Sequence, residues 1–374
     1  MNKIYLDNAS TTPIRQEVIQ EMANVMQTEF GNPSSTHSFG RGAKVILESA
    51  RKSIAKQLNC SAQEIIFTSS GTEANNWILR NAVTKIGVKR IISTKIEHHA
   101  VLYPILELQK EFGIEVEFLT ILPNGHIDYL QLATLLEDSK PTLVSLMHVN
   151  NETGVVLDLN RVGELCKSVN AYFHSDTVQS IGKTEIDLQE IKVDFLVASA
   201  HKFHGPKGIG FAYIKKNTTI SPMIFGGEQE KGLRAGTEAV HQIAGMAKAL
   251  EIALENLDEE RSAIFELKRY TIEKLVQQFP SIKFNGGFET FYSILNVQLP
   301  FSPEKTAMIL FELDMKGIAA SRGSACQSGS IKPSHVLAEI LSEEELKKPS
   351  LRISFNHQNT RDEIDYFISC LAAM

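Results

Sequence analysis

The sequence predicts an α/β fold: a mainly parallel seven-stranded sheet with helices on both faces, together with a smaller α+β domain. Apolar segments of strand length alternate with helix-length spacers between about residues 14 and 260. Strands joined by such crossovers form parallel sheets that are buried on both faces. The seven predicted strands cover residues 65–68, 90–93, 116–119, 143–146, 171–173, 195–197 and 210–213.

A long helical pattern follows the predicted sheet and indicates a second domain. It runs from about residue 239 to 279, which is too long for a typical helix without a break, so we predict that it joins two domains. The predicted elements beyond it are strands at 293–297 and 351–354 and helices at 303–315 and 360–373. We therefore predict a large domain of residues 14–258 and a small domain of residues 1–13 and 259–374, with residues 1–13 as an extended arm.

Composition and charge exclude several classes of protein. The 374 residues are 43% hydrophobic and 22% charged, as in an ordinary globular protein. A net charge of -6 without a basic cluster argues against binding to nucleic acid. The amino terminus lacks the apolar region of a signal peptide, and no apolar run is long enough to span a membrane, so we expect a cytoplasmic protein that does not bind membranes.

The four cysteines are Cys60, Cys166, Cys326 and Cys370. They are scattered without CxxC spacing, so neither a zinc site nor a disulfide framework is indicated, and we expect no metal. Cys60, Cys166 and Cys370 lie in or next to helical patterns and are interpreted as packing residues.

A lysine and an aspartate are predicted at the carboxyl ends of neighbouring strands. Lys202 follows the apolar run 195–198, and Asp176 ends a similar run that begins at Phe173. Open α/β sheets bind ligands at this edge. Pyridoxal phosphate needs such a pair, because a lysine amine forms its internal Schiff base and a carboxylate keeps its pyridine nitrogen protonated. Taken alone, the segment around Lys202 favours a solvated loop charge.

The segment from Thr68 to Asn76 follows a strand and opens a helix. Its backbone N–H groups and the Thr72 hydroxyl would face an anion at a helix amino terminus, with Ser199 and His201 as further donors. The alternative is an ordinary capped helix start, with Ser70 or Thr72 as the cap. The sequence has no GxxxxGK[ST] loop, which argues against a nucleotide enzyme.

Two further polar segments follow predicted strands. His98 begins a helical pattern, where it would either cap the helix, point into solvent or stack on an aromatic cofactor. Asn150 and Asn151 form either a simple turn or a contact to cofactor or substrate.

Arg352, on a predicted strand of the small domain, suits a substrate carboxylate through its bidentate fork, with a surface ion pair as the alternative.

Eight segments in this order resemble the cysteine desulfurases of the NifS/IscS type. They are 5–13, 31–41, 70–73, 97–98, 150–152, 176–179, 199–202 and 234–237, and together they span nearly the whole chain. The resemblance implies a fold-type I, pyridoxal-phosphate-dependent transferase of the class V aminotransferase family, and a homodimer with active sites near the subunit interface. Ser10 departs from a common alanine, and Glu228 stands where a small residue is usual.

The resemblance also implies roles for individual residues. Lys202 would form the Schiff base, Asp176 would pair with the pyridine nitrogen, and His98 would stack on the ring and transfer protons. Gln179 and Asn151 would contact the cofactor's phenolic oxygen or the substrate. The phosphate would be held by Gly71, Thr72, Ser199 and His201, and by Thr237 of the neighbouring subunit.

The implied reaction converts L-cysteine to L-alanine and leaves the sulfur as a persulfide on Cys326. Cys326 lies in a Gly-, Ser- and Gln-rich segment, 321–330, which is typical of a mobile loop. A sulfur-acceptor protein, either a scaffold or a relay, would then take the sulfur for iron-sulfur clusters or thio-cofactors.

Two alternative functions remain open. A class V aminotransferase needs no Cys326, and a non-catalytic sulfur carrier or scaffold-binding protein needs neither Lys202 nor Asp176.

Overall fold

The computed structural model describes residues 3–138, 140–323 and 334–374. The strands are β1 (Ile4–Tyr5), β2 (Ile65–Thr68), β3 (Arg90–Ser93), β4 (Glu115–Phe118), β5 (Thr142–Ser145), β6 (Tyr172–Asp176), β7 (Phe195–Ser199), β8 (Gly210–Ile214), β9 (Lys283–Phe284), β10 (Ile294–Gln298), β11 (Ile318–Ala319) and β12 (Ser350–Ser354).

Eleven α-helices lie within the described ranges. They are α1 (Gln16–Thr28), α2 (Ser38–Gln57), α3 (Gly71–Asn81), α4 (His99–Phe112), α5 (Tyr129–Leu136), α6 (Leu159–Ser168), α7 (Val240–Glu255), α8 (Leu257–Gln278), α9 (Lys305–Met315), α10 (Glu343–Leu346) and α11 (Arg361–Ala372). Short 3₁₀ turns lie at Ala62–Glu64, Ala200–Lys202, Gln229–Gly232 and Leu337–Glu339, and a π turn at Ala82–Ile86.

The central sheet has seven strands in the order β2-β8-β7-β6-β5-β3-β4. Only β8 runs against its two neighbours, so the predicted mainly parallel sheet is confirmed. Strand β6 continues three residues beyond the predicted apolar run 171–173, through His174 and Ser175, and ends at Asp176, the residue expected at a strand end. These polar residues are buried and paired with β7, so the sheet continues where the apolar pattern stops.

Helices cover both faces of this sheet, as predicted. Along β7, Phe195 and Val197 pack into a cluster with α3 and α4, whereas Leu196 and Ala198 pack into a second cluster with α2, α6 and α7. Successive side chains of a strand point to opposite faces, so a strand buried on both faces is apolar throughout. This explains why most of these strands are recognisable as continuous apolar runs; the edge strand β4 is half-buried and alternates glutamate with apolar residues.

A smaller α+β region follows in the chain. Strands β12, β10 and β9 form an antiparallel sheet, and β1 of the amino-terminal arm pairs in parallel with β11. Leu295, Ile353 and Phe367 belong to a separate hydrophobic cluster, which also contains Ile4 and Leu6 of the arm. The arm is therefore extended and packs with the carboxyl-terminal half of the chain.

The long helical pattern is broken, as expected, at Asn256. Helix α7 ends at Glu255, and α8 begins at Leu257 and contributes Ile264 and Leu267 to the cluster of the smaller region. The predicted domain boundary between residues 258 and 259 lies in the first turn of α8 and stays a prediction.

None of the helices within the described ranges combines the length and the apolar character that crossing a bilayer requires.

Candidate active site

A cavity of about 220 Å³ opens where the central strands end. Strands β2, β3, β5, β6 and β7 run in the same direction, so the residues that follow them meet at one edge of the sheet. Ten of the predicted site residues line this cavity: Gly71, Thr72, His98, Asn151, Asp176, Gln179, Ser199, His201, Lys202 and Arg352.

Asp176 is the last residue of β6 and is 5% exposed. Its Oδ2 accepts a hydrogen bond from Asn75 Nδ2 at 2.7 Å, and its Oδ1 accepts one from the backbone N–H of Val178 at 3.0 Å. A buried carboxylate is costly unless such donors stabilise it. Asn75, on helix α3, therefore belongs to the site, although the sequence motif around it suggested only a phosphate-binding helix start.

Lys202 follows β7 through the 3₁₀ turn Ala200–Lys202. Its Nζ donates to the carbonyl oxygens of Ala9 at 2.7 Å and Ser10 at 2.8 Å. The amine is therefore held at the cavity by the amino-terminal arm. Sequence reasoning placed the arm in the small domain but did not predict this contact.

The amino terminus of helix α3 also lines the cavity. Ser70 caps the helix, because its hydroxyl accepts from the backbone N–H of Glu73 at 3.3 Å, and Gly71 N donates to Ser199 Oγ at 2.7 Å. A Cβ at Gly71 would lie 2.6 Å from Val178 Cγ2, so the backbone approaches this closely only with glycine. The helix dipole and polar side chains make this end of the cavity suitable for an anion.

His201 lies at the same strand end. Its Nδ1 is 3.1 Å from Thr11 Oγ1, and burial together with the neighbouring Lys202 lowers the pKa of the ring to about 3. The imidazole is therefore neutral at pH 7. A neutral ring still has one N–H that can donate to an anion.

His98 caps helix α4 and lines the cavity at the same time. Its Nδ1 accepts from the backbone N–H of Ala100 at 3.1 Å, which leaves Nε2 as the protonated nitrogen of a neutral ring. Burial lowers the pKa of His98, and Lys202 adds to this effect while Asp176 opposes it. The capping alternative is therefore correct, and it does not exclude a contact with a ligand.

Arg352 projects from β12 into the cavity and is 1% exposed. Its Nη1 donates to the carbonyl oxygen of Asn151 at 2.7 Å, and its Nη2 donates to Asp7 Oδ1 at 2.8 Å and Ser10 Oγ at 2.6 Å. The alternative of a surface ion pair is wrong, because the guanidinium is buried. The pair with Asp7 compensates part of the desolvation of that charge.

Gln179 contacts the arm in this structure. Its Nε2 donates to the carbonyl oxygen of Ala9 at 2.8 Å, and its Oε1 accepts from Lys183 Nζ at 3.4 Å. Burial, with further contributions from Lys202 and Arg352, lowers the pKa of Lys183 to about 7. Sequence reasoning did not single out Lys183; the only signal was its position four residues after Gln179.

Two predicted site residues lie elsewhere. Thr237 is exposed and is not among the residues that line the cavity. Cys326 lies outside the described residues. Of the other cysteines, Cys166 and Cys370 are buried and Cys60 is half-buried, all three with free thiols. The described part of the chain brings together no metal-binding group of three or more His, Cys, Asp or Glu side chains.

Comparison with known proteins identifies the family. The family model for class-V aminotransferases matches residues 4–367. A cysteine desulfurase IscS of Clostridium botulinum (strain Kyoto / Type A2) is 41% identical over 375 residues, which cover 99% of this chain and 94% of the relative. The chain belongs to the class-V aminotransferase family, in its cysteine desulfurase branch.

Solved structures share the fold. A NifS-like protein aligns with a TM-score of 0.91 and 34% identity, covering 100% of this chain and 99% of that one. A second structure, described as SspA in complex with cysteine, aligns with a TM-score of 0.82 and 30% identity, covering 96% and 100% of the two chains. Members of the class-V family depend in general on pyridoxal phosphate.

Proposed function

We propose that this class-V protein is a pyridoxal-phosphate-dependent cysteine desulfurase, which converts L-cysteine to L-alanine and transfers the sulfur to Cys326 as a persulfide. The observation that carries the proposal is the shared cavity: Lys202, the buried Asp176 carboxylate, the amino terminus of α3 and Arg352 all line it. The relatives named as cysteine desulfurases and the solved neighbour in complex with cysteine support the choice of substrate.

The residues of the cavity fit pyridoxal phosphate. Asp176, fixed by Asn75 and the Val178 N–H, offers a charged acceptor for a protonated ring nitrogen. Gly71, Thr72, Ser199 and His201 would hold the phosphate, Asn151 and Gln179 would contact the ring substituent, and Lys202 supplies the amine that attaches the cofactor. When bound, the cofactor withdraws electrons from the substrate carbon atoms.

The chain's own groups then divide the reaction between them. Arg352 binds the substrate carboxylate, since its buried guanidinium reaches the cavity. Lys202 Nζ takes the proton from the substrate Cα, and His98, neutral at pH 7, donates or accepts protons through Nε2. The Cys326 thiolate attacks the substrate sulfur: the S–S bond forms, the Cβ–S bond breaks, and its electron pair stays with the carbon, which is protonated to give alanine.

The other three cysteines are unsuited to this attack. Burial raises the pKa of the Cys60 thiol to about 12 and raises that of Cys166 as well. Cys370 is 8% exposed and packs in the cluster of the smaller region. A thiolate, not a thiol, is the nucleophile, so the raised pKa values of Cys60 and Cys166 and the packed position of Cys370 leave these residues a packing role only.

We place the protein in the cytoplasm, as a homodimer in which the exposed Thr237 reaches the phosphate of the neighbouring subunit. A sulfur-acceptor protein would receive the persulfide sulfur for iron-sulfur clusters or thio-cofactors.

The decisive experiment is the Cys326→Ser substitution. The variant should keep the visible absorbance of the bound cofactor and still change it when cysteine is added, yet form neither alanine nor a persulfide above background. A matched control, with Cys60, Cys166 and Cys370 all replaced by alanine, should keep its activity. Mass spectrometry after brief exposure to cysteine locates the added sulfur. Normal alanine release by Cys326→Ser would contradict the proposal and favour an aminotransferase.

A further inference from the structure

Glu152 is a fully buried acid beside the active site that the reaction described above does not use. It lies in the loop that follows β5, directly after Asn151, and is 0% exposed. The loop is held firmly: Asn150 Oδ1 accepts the backbone N–H of Glu152 at 3.0 Å, and Asn296 Nδ2 donates to the Glu152 carbonyl oxygen at 3.0 Å. The side chain therefore projects from a backbone with a defined position.

The carboxylate of Glu152 lies beside residues 323 and 334, which flank the segment that contains Cys326. Ser334 Oγ donates a hydrogen bond to Glu152 Oε2. On the other side, a Cβ at Gly323 would lie only 3.1 Å from the same Oε2, so the backbone of residue 323 passes directly over the carboxylate. One buried oxygen atom thus accepts a hydrogen bond from Ser334 and lies close to the backbone of residue 323, the two residues between which residues 324–333 run.

Each of these ends is also tied to a part of the active site. Ser321 forms a two-way backbone bridge with Arg352, with N–O distances of 2.7 and 3.3 Å, and its hydroxyl donates to the Gly323 carbonyl oxygen at 2.9 Å. At the other end, His335 Nε2 lies 2.9 Å from the carbonyl oxygen of Glu97, the residue before His98.

Ser334 itself is the start of a local turn. Its Oγ accepts the backbone N–H groups of Val336 and Leu337, both at 3.1 Å, while its hydroxyl hydrogen goes to Glu152. The carboxylate therefore orients the Ser334 hydroxyl, which binds the backbone just before the 3₁₀ turn Leu337–Glu339. Without Glu152, the Ser334 hydroxyl is free to rotate and the turn loses its fixed end.

We propose that Glu152 is a positioning residue for sulfur transfer: its carboxylate anchors Ser334 next to the backbone of residue 323, so that the segment bearing the Cys326 thiol has a fixed end beside the active site. The inference rests on the proposed function, since it assigns the thiol of Cys326 as the nucleophile. Small displacements of a reacting group cost up to ~100-fold in rate. Glu152 thereby acts on the rate of sulfur transfer through the loop and not through the substrate.

Three variants of the cofactor-loaded protein test this role. Glu152→Ala removes the carboxylate, and Glu152→Gln keeps an amide oxygen that can accept from Ser334. Glu64→Ala is the matched control, because Glu64 is also buried and its carboxylate also accepts hydrogen bonds, from the backbone N–H groups of Ser61 at 2.9 Å and Lys216 at 2.8 Å, but it contacts neither residue 323 nor Ser334. Two quantities are measured: persulfide formation on Cys326 in a single turnover, and backbone hydrogen exchange.

We expect Glu152→Ala to slow persulfide formation by ~10- to 100-fold, while the KM for cysteine and the cofactor absorbance stay at wild-type values. Hydrogen exchange should accelerate in the peptide covering residues 334–341, where the Val336 and Leu337 N–H groups lie, and not in the central strands. Glu152→Gln should restore most of both properties. Combining Glu152→Ala with Ser334→Ala should slow the reaction no further, because both changes break the same contact.

Two results would overturn the proposal. One is wild-type exchange in residues 334–341 of Glu152→Ala; the other is faster exchange throughout the protein with a rate loss equal to that of Glu64→Ala, which would leave Glu152 only a folding role. A failure of the proposed function is distinguishable, since the wild-type protein would then form no persulfide on Cys326. The hydrogen-exchange measurement would in that case still decide whether Glu152 fixes the backbone turn that follows Ser334.

Discussion

At the scale of single residues, the hydroxyl of Ser10 changes how Arg352 is presented to a substrate. Arg352 Nη2 donates to both Asp7 Oδ1 and Ser10 Oγ, and Ser10 Oγ itself donates to Asp7 Oδ1 at 2.8 Å. Both hydrogens of Nη2 are therefore engaged within the protein. A substrate carboxylate that pairs with Arg352 in a bidentate manner has to displace one of these contacts.

We expect Ser10→Ala to lower the KM for cysteine by ~5-fold with little change in kcat, because an average hydrogen bond contributes about 1 kcal/mol. The alanine leaves one Nη2 hydrogen available to the substrate. Steady-state kinetics of alanine release measure the effect, and Ser10→Thr, which keeps the hydroxyl, is the control. An increase in KM would mean that Ser10 holds the guanidinium in its productive orientation.

At the scale of elements, helix α3 serves the site with two different parts. Its amino terminus, Ser70 to Thr72, lines the end of the cavity suited to an anion. One turn later, Asn75 is buried and donates to Asp176. Side chains four residues apart lie on the same face of a helix, so a single element positions the phosphate-binding and ring-binding parts of the cavity.

Asn75→Ala should weaken binding of pyridoxal phosphate by ~10- to 100-fold, since a hydrogen bond to a charged group contributes about 1.5–3 kcal/mol. The matched control is Asn76→Ala, at the next position of the same helix, where the side chain donates to the Thr72 carbonyl oxygen instead. Fluorescence titration of the apoprotein with cofactor measures both affinities. Equal losses in the two variants would mean that helix stability, and not the contact to Asp176, is responsible.

At the scale of the whole molecule, several buried histidines make the fold sensitive to acid. Burial lowers the pKa values of His148 to about 4 and of His174 and His204 to about 3. These rings bind protons more weakly in the folded than in the unfolded protein, whose histidines titrate near ~6.5. Their contribution to stability is therefore complete above that pH and is lost as the pH falls from there towards 3. Glu97, whose pKa burial raises to about 8, acts in the opposite direction and is most destabilising above that pH.

Replacement of His174 is the strongest single test of this acid sensitivity. The His174 side chain is 0% exposed, and its Nδ1 lies 2.9 Å from Ser145 Oγ. Between pH 7 and 5, the wild-type protein should lose about 2 kcal/mol more free energy of unfolding than His174→Gln, because only the wild type has this ring to protonate on unfolding. Urea unfolding at the two pH values measures the difference. Ser145→Ala, which removes the hydrogen bond but keeps the ring, should retain the wild-type pH dependence; identical losses in wild type and His174→Gln would contradict the argument.

Local sequence patterns were sufficient to predict the strands of the central sheet and the polar residues at its edge. Apart from the half-buried edge strand β4, the strands of the central sheet are buried on both faces, so their apolar runs are visible in the sequence. Asp176, Ser199 and Lys202 line the cavity at the sheet edge where these runs end. The apolar run 171–173 stops short of the predicted strand end at Asp176, since a polar residue such as His174 becomes part of a strand only when its neighbours bury it and satisfy its hydrogen bonds.

The sequence by itself determined the order of the strands along the chain, the strand ends that bear the reactive groups and the family resemblance that names their roles. Only the tertiary structure decided which groups hold those residues. Asn75 donates to Asp176, Lys202 donates to the carbonyl oxygens of the arm, and Arg352 donates to Asp7 and Ser10. It also decided that Glu152 accepts from Ser334 and lies close to residue 323. These partners lie up to 345 residues apart in the chain, as for Asp7 and Arg352. Periodicity describes the faces of a single element, whereas hydrogen bonds between loops form only where the packing of the whole fold brings those loops together.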